Sequence, residues 1–168
     1  MATAEELLDV AQGVLDAAIS GPAALRRATS TAYYALFHLL ISEATINWEQ
    51  TEFRPLLGRV FSHGTMKSAC EKVPGVNAKK LKQSPTVPFE QRTPSDHLRV
   101  VAETFIQTQE RREIADYDMT PQWNRNDAAV QIEQVAEAFR SWNAIRQEPE
   151  SQRFLVLLMG PKQRSSRA

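Results

Sequence analysis

The sequence predicts an all-α protein, an antiparallel bundle of about five or six helices with a long proline-rich loop between the third and fourth. Three observations carry that prediction. Apolar residues recur at helical spacing in several long segments. The breaks between segments carry glycine, proline and capping residues. The one strand-like run, Phe154–Met159, has no second strand to pair with.

Thr3 followed by Glu6 reads as a capping box that starts the first helix. Leu7, Leu8, Ala11, Val14, Leu15, Ala18 and Ile19 give that helix an apolar face, and Gly21-Pro22 end it. The second helix is expected from Pro22 to about Asn47. Leu25, Ala28, Ala32, Leu36 and Leu39 share one side of it, and Arg27, Thr31, Tyr34 and His38 form a polar stripe opposite. So much apolar circumference predicts a central helix covered on several sides.

Trp48 to Phe61 reads as an irregular connection broken at Pro55 and Gly58. Ser62 or a neighbour then caps a shorter third helix, which Pro74-Gly75 stop. Residues 73–97, with Pro74, Pro85, Pro88 and Pro94, make the extended loop. Ser95-Asp96 cap a fourth helix reaching about Tyr117. After Pro121, Asn126-Asp127 open a fifth, lined by Ala128, Ile132, Val135, Phe139 and Trp142 and ended by Pro149. Ser151 is expected to cap a last helix, Gln152 to Met159, that plugs the core or forms a subunit contact. Residues 1–160 are expected to be a single domain and 161–168 a flexible basic tail.

The chain has 168 residues with 20 basic and 20 acidic side chains, so no net field recruits nucleic acid or a membrane. Lys79–Lys82 and Lys162–Arg167 are local basic clusters that read as solvated segments. Cys70 is alone, which excludes a disulfide framework and a cysteine-based zinc site. No stretch approaches the roughly 18 apolar residues of a membrane span. The acidic N-terminus lacks the signature of a secretory signal, so a cytoplasmic location is expected.

Two places combine burial with polar chemistry. On the fourth helix the stripe Leu98, Val101, Ala102, Phe105 continues as Gln109, Arg112 and Asp116, so the core side turns charged. Arg112 and Asp116 can pair at i, i+4. A buried charge needs partners, so Asp116 or Tyr117 is expected to contact Arg27, Tyr34 or His38. Such a patch serves either as an ion-pair network fixing helix register or as a pocket. The second place is Arg59 and His63, which lie close together if Phe61 and Ser62 join the following helix. A histidine that passes a proton and an arginine that holds a phosphate suffice for metal-independent RNA cleavage by the ribose 2′-hydroxyl. Trp48, Trp123 and Trp142 read as core or interface anchors. The chain has no glycine-rich phosphate loop, no Gly-x-Ser-x-Gly and no His-Glu-x-x-His, and neither a metal nor a cofactor is expected.

Arg26-Arg27-Ala28 through Ala32-Tyr33-Tyr34-Ala35 to Phe37-His38, followed late in the chain by Arg111-Arg112-Glu113-Ile114-Ala115-Asp116-Tyr117, resembles the HEPN superfamily over roughly residues 5–145. The resemblance implies a helical, commonly dimeric prokaryotic protein that binds RNA or a nucleotide. Many members are metal-independent endoribonucleases of toxin–antitoxin or defence systems; others are inactive modules acting through a protein partner, such as an antitoxin or nucleotidyltransferase. Nuclease members carry an arginine and a histidine on a late helix with four to six residues between them. Here the late helices have no histidine, Arg59 and His63 are one residue short of that spacing, and Arg92 to His97 fits it only across the proline loop.

Arg59 and His63 are accordingly the catalytic candidates, and Arg27, Tyr34, His38, Arg112, Asp116 and Tyr117 the binding or structural cluster. An unrelated enzyme built on Arg27, His38 and Asp116 is the remaining alternative.

Overall fold

The computed structural model describes residues 3–17, 21–76, 93–118 and 122–160. Among these residues there is no strand, and there are seven α-helices where about five or six were expected. No helix among them is long and apolar enough to cross a membrane.

Helix α1 spans Ala4–Asp16 and begins with the capping box read from the sequence. Thr3 Oγ1 accepts the Glu6 N–H at 3.2 Å, and the Glu6 carboxylate accepts the Thr3 N–H at 2.6 Å. Ala11 and Leu15 are buried; Ala18 and Ile19 lie outside the described residues. Helix α2, Pro22–Thr45, opens with proline at a position where the missing N–H costs nothing. It packs against α1 and against α5 and α6, defined below, and buries Leu25, Ala28, Ala32, Leu36, Leu39 and also Tyr33, Phe37 and Leu40.

The connection after α2 is more regular than its sequence suggests. A 3₁₀ turn at Thr51–Phe53 runs into a short helix α3, Arg54–Gly58. Pro55 sits in the first turn, where proline starts a helix instead of breaking it. Gly58 faces Ile41, whose methyl would lie 3.4 Å from an added Cβ. Arg54 donates to the carbonyls of Ile46 and Trp48, tying α3 back to the end of α2.

Ser62 caps α4, His63–Glu71, and Ser95 caps α5, Asp96–Tyr117, each through its own side chain. Residues 77–92, which include Lys79–Lys82, Pro85, Pro88 and Arg92, lie outside the described residues, as do Pro121 and the basic tail 161–168. Helix α6 spans Arg125–Ile145 and is capped by Asn124, not by Asn126-Asp127. Asn124 Oδ1 accepts the Asp127 N–H at 2.8 Å, so Asp127 belongs to the first turn. Helix α7, Pro149–Leu158, starts at the proline expected only to end α6. Ser151 is no cap there, since its buried hydroxyl donates to the Ile145 carbonyl at 2.7 Å.

Phe154, Leu155 and Leu158 are buried, with Phe154 against Trp142, so α7 plugs its own chain's core and leaves Val156 and Met159 outward. The chain then turns at Gly160, whose φ of 66° suits glycine; a Cβ there would overlap Thr65 Cγ2. Polar ties hold the helices in register. Arg146 grips Glu43 of α2 at 2.7 and 3.2 Å, and the buried Gln131 side chain donates to the Thr29 carbonyl at 3.0 Å.

Candidate functional site

Polar chemistry concentrates where α2, α4 and α5 meet. The periodicity of α5 keeps Leu98, Val101, Ala102, Phe105 and Gln109 buried, and then brings the same stripe toward the surface. Arg112 ends up 14% exposed at its side chain and Asp116 30%. An Arg112 terminal nitrogen donates to Tyr34 Oη at 2.7 Å, and its guanidinium lies over the Tyr34 and Tyr117 rings. Arg112 Nε is 2.7 Å from Asp116 Oδ2, an ion pair by distance whose N–H is not aimed along a hydrogen bond. Burial opposes the Arg112 charge, but Tyr34 and Asp116 outweigh it and raise its pKa. Asp116 reaches α2 through Ser30, whose hydroxyl donates to Oδ1 at 2.5 Å.

The two helices are therefore joined by Arg112 to Tyr34 and by Asp116 to Ser30. Asp116 or Tyr117 was expected to contact Arg27, Tyr34 or His38; the hydrogen bond of Asp116 to α2 is made with Ser30, Asp116 shares a cleft with Arg27 and Tyr34, and Tyr117 points largely into solvent. Arg27 is exposed on the same side, one turn from Ser30 and Thr31.

His63 opens α4 and turns toward α2, not toward Arg59. Its Nδ1 is 2.6 Å from the Tyr33 hydroxyl, and its ring stacks on Phe37 at 4.4 Å between centroids. Tyr33 is fully buried, so its proton has to be given to a protein acceptor. Burial pushes the phenol above its usual range, which keeps that proton in place. The Tyr33 O–H therefore donates to Nδ1, and a neutral His63 carries its own hydrogen on Nε2. Burial, then the Arg112 charge, holds His63 below its usual pKa; Glu113 works the other way. His38 is also held low by burial.

Arg59 is absent from this arrangement. It caps the C-terminal end of α3, exposed, and the condition for pairing it with His63 is not met. Phe61 and Ser62 are not helical, and Ser62 is extended at φ −126°, ψ 150°. The charged side chains that bear on His63 are Arg112 and, more weakly, Glu113, from a helix the spacing did not connect to it.

Compared with family models, curated proteins and solved structures, the chain matches none. The site must be read from its own chemistry. A cleft of about 660 Å³ opens beside α2, lined by Arg26, Arg27, Ser30, Thr31, Tyr34 and Asp116. Its two arginines and three hydroxyls suit an anion. A second cleft, about 600 Å³, is lined by Glu110, Glu113, Ile114, Tyr117 and Asp118 and repels one. Among the described residues no three His, Cys, Asp or Glu side chains converge as a metal site. Burial also raises the Cys70 pKa, so that thiol is no nucleophile.

Sequence reasoning missed Tyr33 and Ser30. Tyr33 falls about 80° from Leu25 on the helical wheel, beside Leu36 and Leu40. A phenol in that position predicts a buried hydroxyl in need of a partner.

Proposed function

We propose that this chain is a HEPN-like protein that binds RNA or a nucleotide, with a phosphate in the α2 cleft. The observation that carries the reading is the position of Arg27, exposed on a wall whose other polar groups are three hydroxyls, the Arg26 guanidinium and the Asp116 carboxylate. Guanidinium groups pair with phosphate oxygens through two parallel hydrogen bonds. Asp116 would oppose an anion, but Arg112 and Ser30 engage its carboxylate. Of the residues that carry the HEPN resemblance, Arg26, Arg27, Ser30, Tyr34 and Asp116 line this cleft.

The reading brings with it an antiparallel bundle forming one domain, a cytoplasmic location and, for toxin–antitoxin operation, an antitoxin or nucleotidyltransferase partner. Nuclease action would further need a base for the 2′-hydroxyl proton. His63 is poorly placed for that role, because Nδ1 already accepts from Tyr33 and Nε2 bears a hydrogen. This hydrogen bond favours a second reading, a catalytically silent interaction module in which the same residues hold helices together.

One experiment separates the readings. Fluorescence anisotropy with a labelled single-stranded RNA, without divalent metal, is run on the wild type and on Arg27→Ala, His38→Ala and His63→Ala variants, and each sample is then resolved on a gel. Binding weakened at least about tenfold by Arg27→Ala, the loss of one charge-assisted contact, supports the cleft. Shortened RNA that disappears in His63→Ala or His38→Ala establishes a nuclease and picks its histidine. Neither binding nor cleavage by the folded wild type leaves the interaction module.

A further inference from the structure

The segment after α2 is built inside out. Along the 3₁₀ turn, α3 and the turn that follows it, Phe53, Leu56 and Val60 recur at about one-turn spacing on one face, while Leu57 is half-buried. That face points away from the core: Leu56 is 55% exposed and Val60 56%, and Phe53 is exposed beside them. The side turned to α2 instead carries Gly58, against Ile41, and Arg54, whose guanidinium binds the carbonyls of Ile46 and Trp48. Ile46 and Trp48 are themselves exposed. Arg54 thus fixes one piece of chain, residues 46–60, with its apolar side chains outward. A contiguous apolar surface of this kind marks an interaction site.

Charge identifies the occupant. Glu49 and Glu52 border the Phe53 end of the stripe, and Arg59 borders the Val60 end; all three are exposed. A stripe acidic at one end and basic at the other is complementary to its own two-fold mate. Laid antiparallel about an axis near Leu56, two copies bring Glu52 of each against Arg59 of the other while Phe53, Leu56 and Val60 close on their counterparts. We propose that residues 46–60 form the self-complementary contact of a homodimer, with Leu56 at its two-fold axis. This surface lies on a different segment from the α2 cleft, and its oligomeric readout does not depend on what the cleft binds.

The test is sedimentation equilibrium on the full chain over a wide concentration range. The wild type is expected at twice the 18.9 kDa chain mass. Leu56→Glu places two like charges at the axis and weakens the dimer at least about tenfold, with helical content unchanged because Leu56 is exposed. Glu52→Arg alone weakens it as well, and Arg59→Glu added to Glu52→Arg restores it. A wild type that is monomeric at every concentration overturns the proposal. So does a dimer that Leu56→Glu leaves intact, particularly one that Val156→Glu dissolves, which would put the contact on α7. A dimer lost in Leu56→Glu but not recovered by the double charge reversal overturns the antiparallel arrangement about Leu56.

Discussion

Tyr33 and His63 define what the polar cluster can do. A buried phenol left without an acceptor costs about 1–3 kcal/mol, whereas removing both partners of a hydrogen bond costs far less. His63→Ala orphans the Tyr33 hydroxyl and also removes the ring stacked on Phe37. Tyr33→Phe leaves only a half-buried imidazole nitrogen, which water can reach. The expected order in urea unfolding is therefore a loss of about 2–3 kcal/mol for His63→Ala and under about 1 kcal/mol for Tyr33→Phe. Adding Tyr33→Phe to His63→Ala should recover part of the loss. Strict additivity of the two changes would mean that the hydrogen bond stabilises nothing and that His63 is available for other chemistry.

At the scale of helices, the Arg112–Asp116 pair shows how periodicity can be right in direction and wrong in depth. The stripe through Leu98 and Phe105 does carry Arg112 and Asp116 toward α2, but the end of α5 lies near the surface. A fully buried pair would lose about 3–5 kcal/mol on removal of one partner. With Asp116 30% exposed, Asp116→Ala is expected to cost about 1–2 kcal/mol, measured by chemical denaturation. A loss near 4 kcal/mol would mean that Arg112 depends on Asp116 alone and that its bond to Tyr34 contributes little. Helix starts were legible because a cap is local chemistry: Thr3 with Glu6, Ser62 and Ser95 each bond a backbone N–H three residues on. Proline was the ambiguous signal. Pro55 and Pro149 begin helices that a breaker rule would end, since the cost of the missing N–H vanishes in the first turn. The partnership of Arg59 and His63 depended on the backbone of two intervening residues, which spacing does not determine, and the actual partner Tyr33 lies 30 positions away.

Across the whole molecule, one side of the central helix α2 gathers groups that burial holds in their neutral form, and this makes stability depend on pH. His38 and His63 both have pKa values below the usual 6.5 of histidine, chiefly through desolvation, with Arg112 adding to the effect on His63. The folded protein therefore binds protons at these sites less readily than the unfolded chain. Above about pH 6.5 both states are neutral there and the contribution is complete. As the pH falls through 6.5 the unfolded chain takes up protons first, so stability declines until the folded-state pKa values are passed. The urea midpoint is expected to drop between pH 7 and about pH 5, before most carboxylates titrate. Replacing both side chains, His38→Gln with His63→Gln, should flatten that slope while lowering stability at pH 7 through the altered Tyr33 contact. A midpoint that rises as the pH falls over this range would reverse the sign, and would mean that a nearby acid such as Glu113 governs His63 more strongly than its burial and Arg112 do.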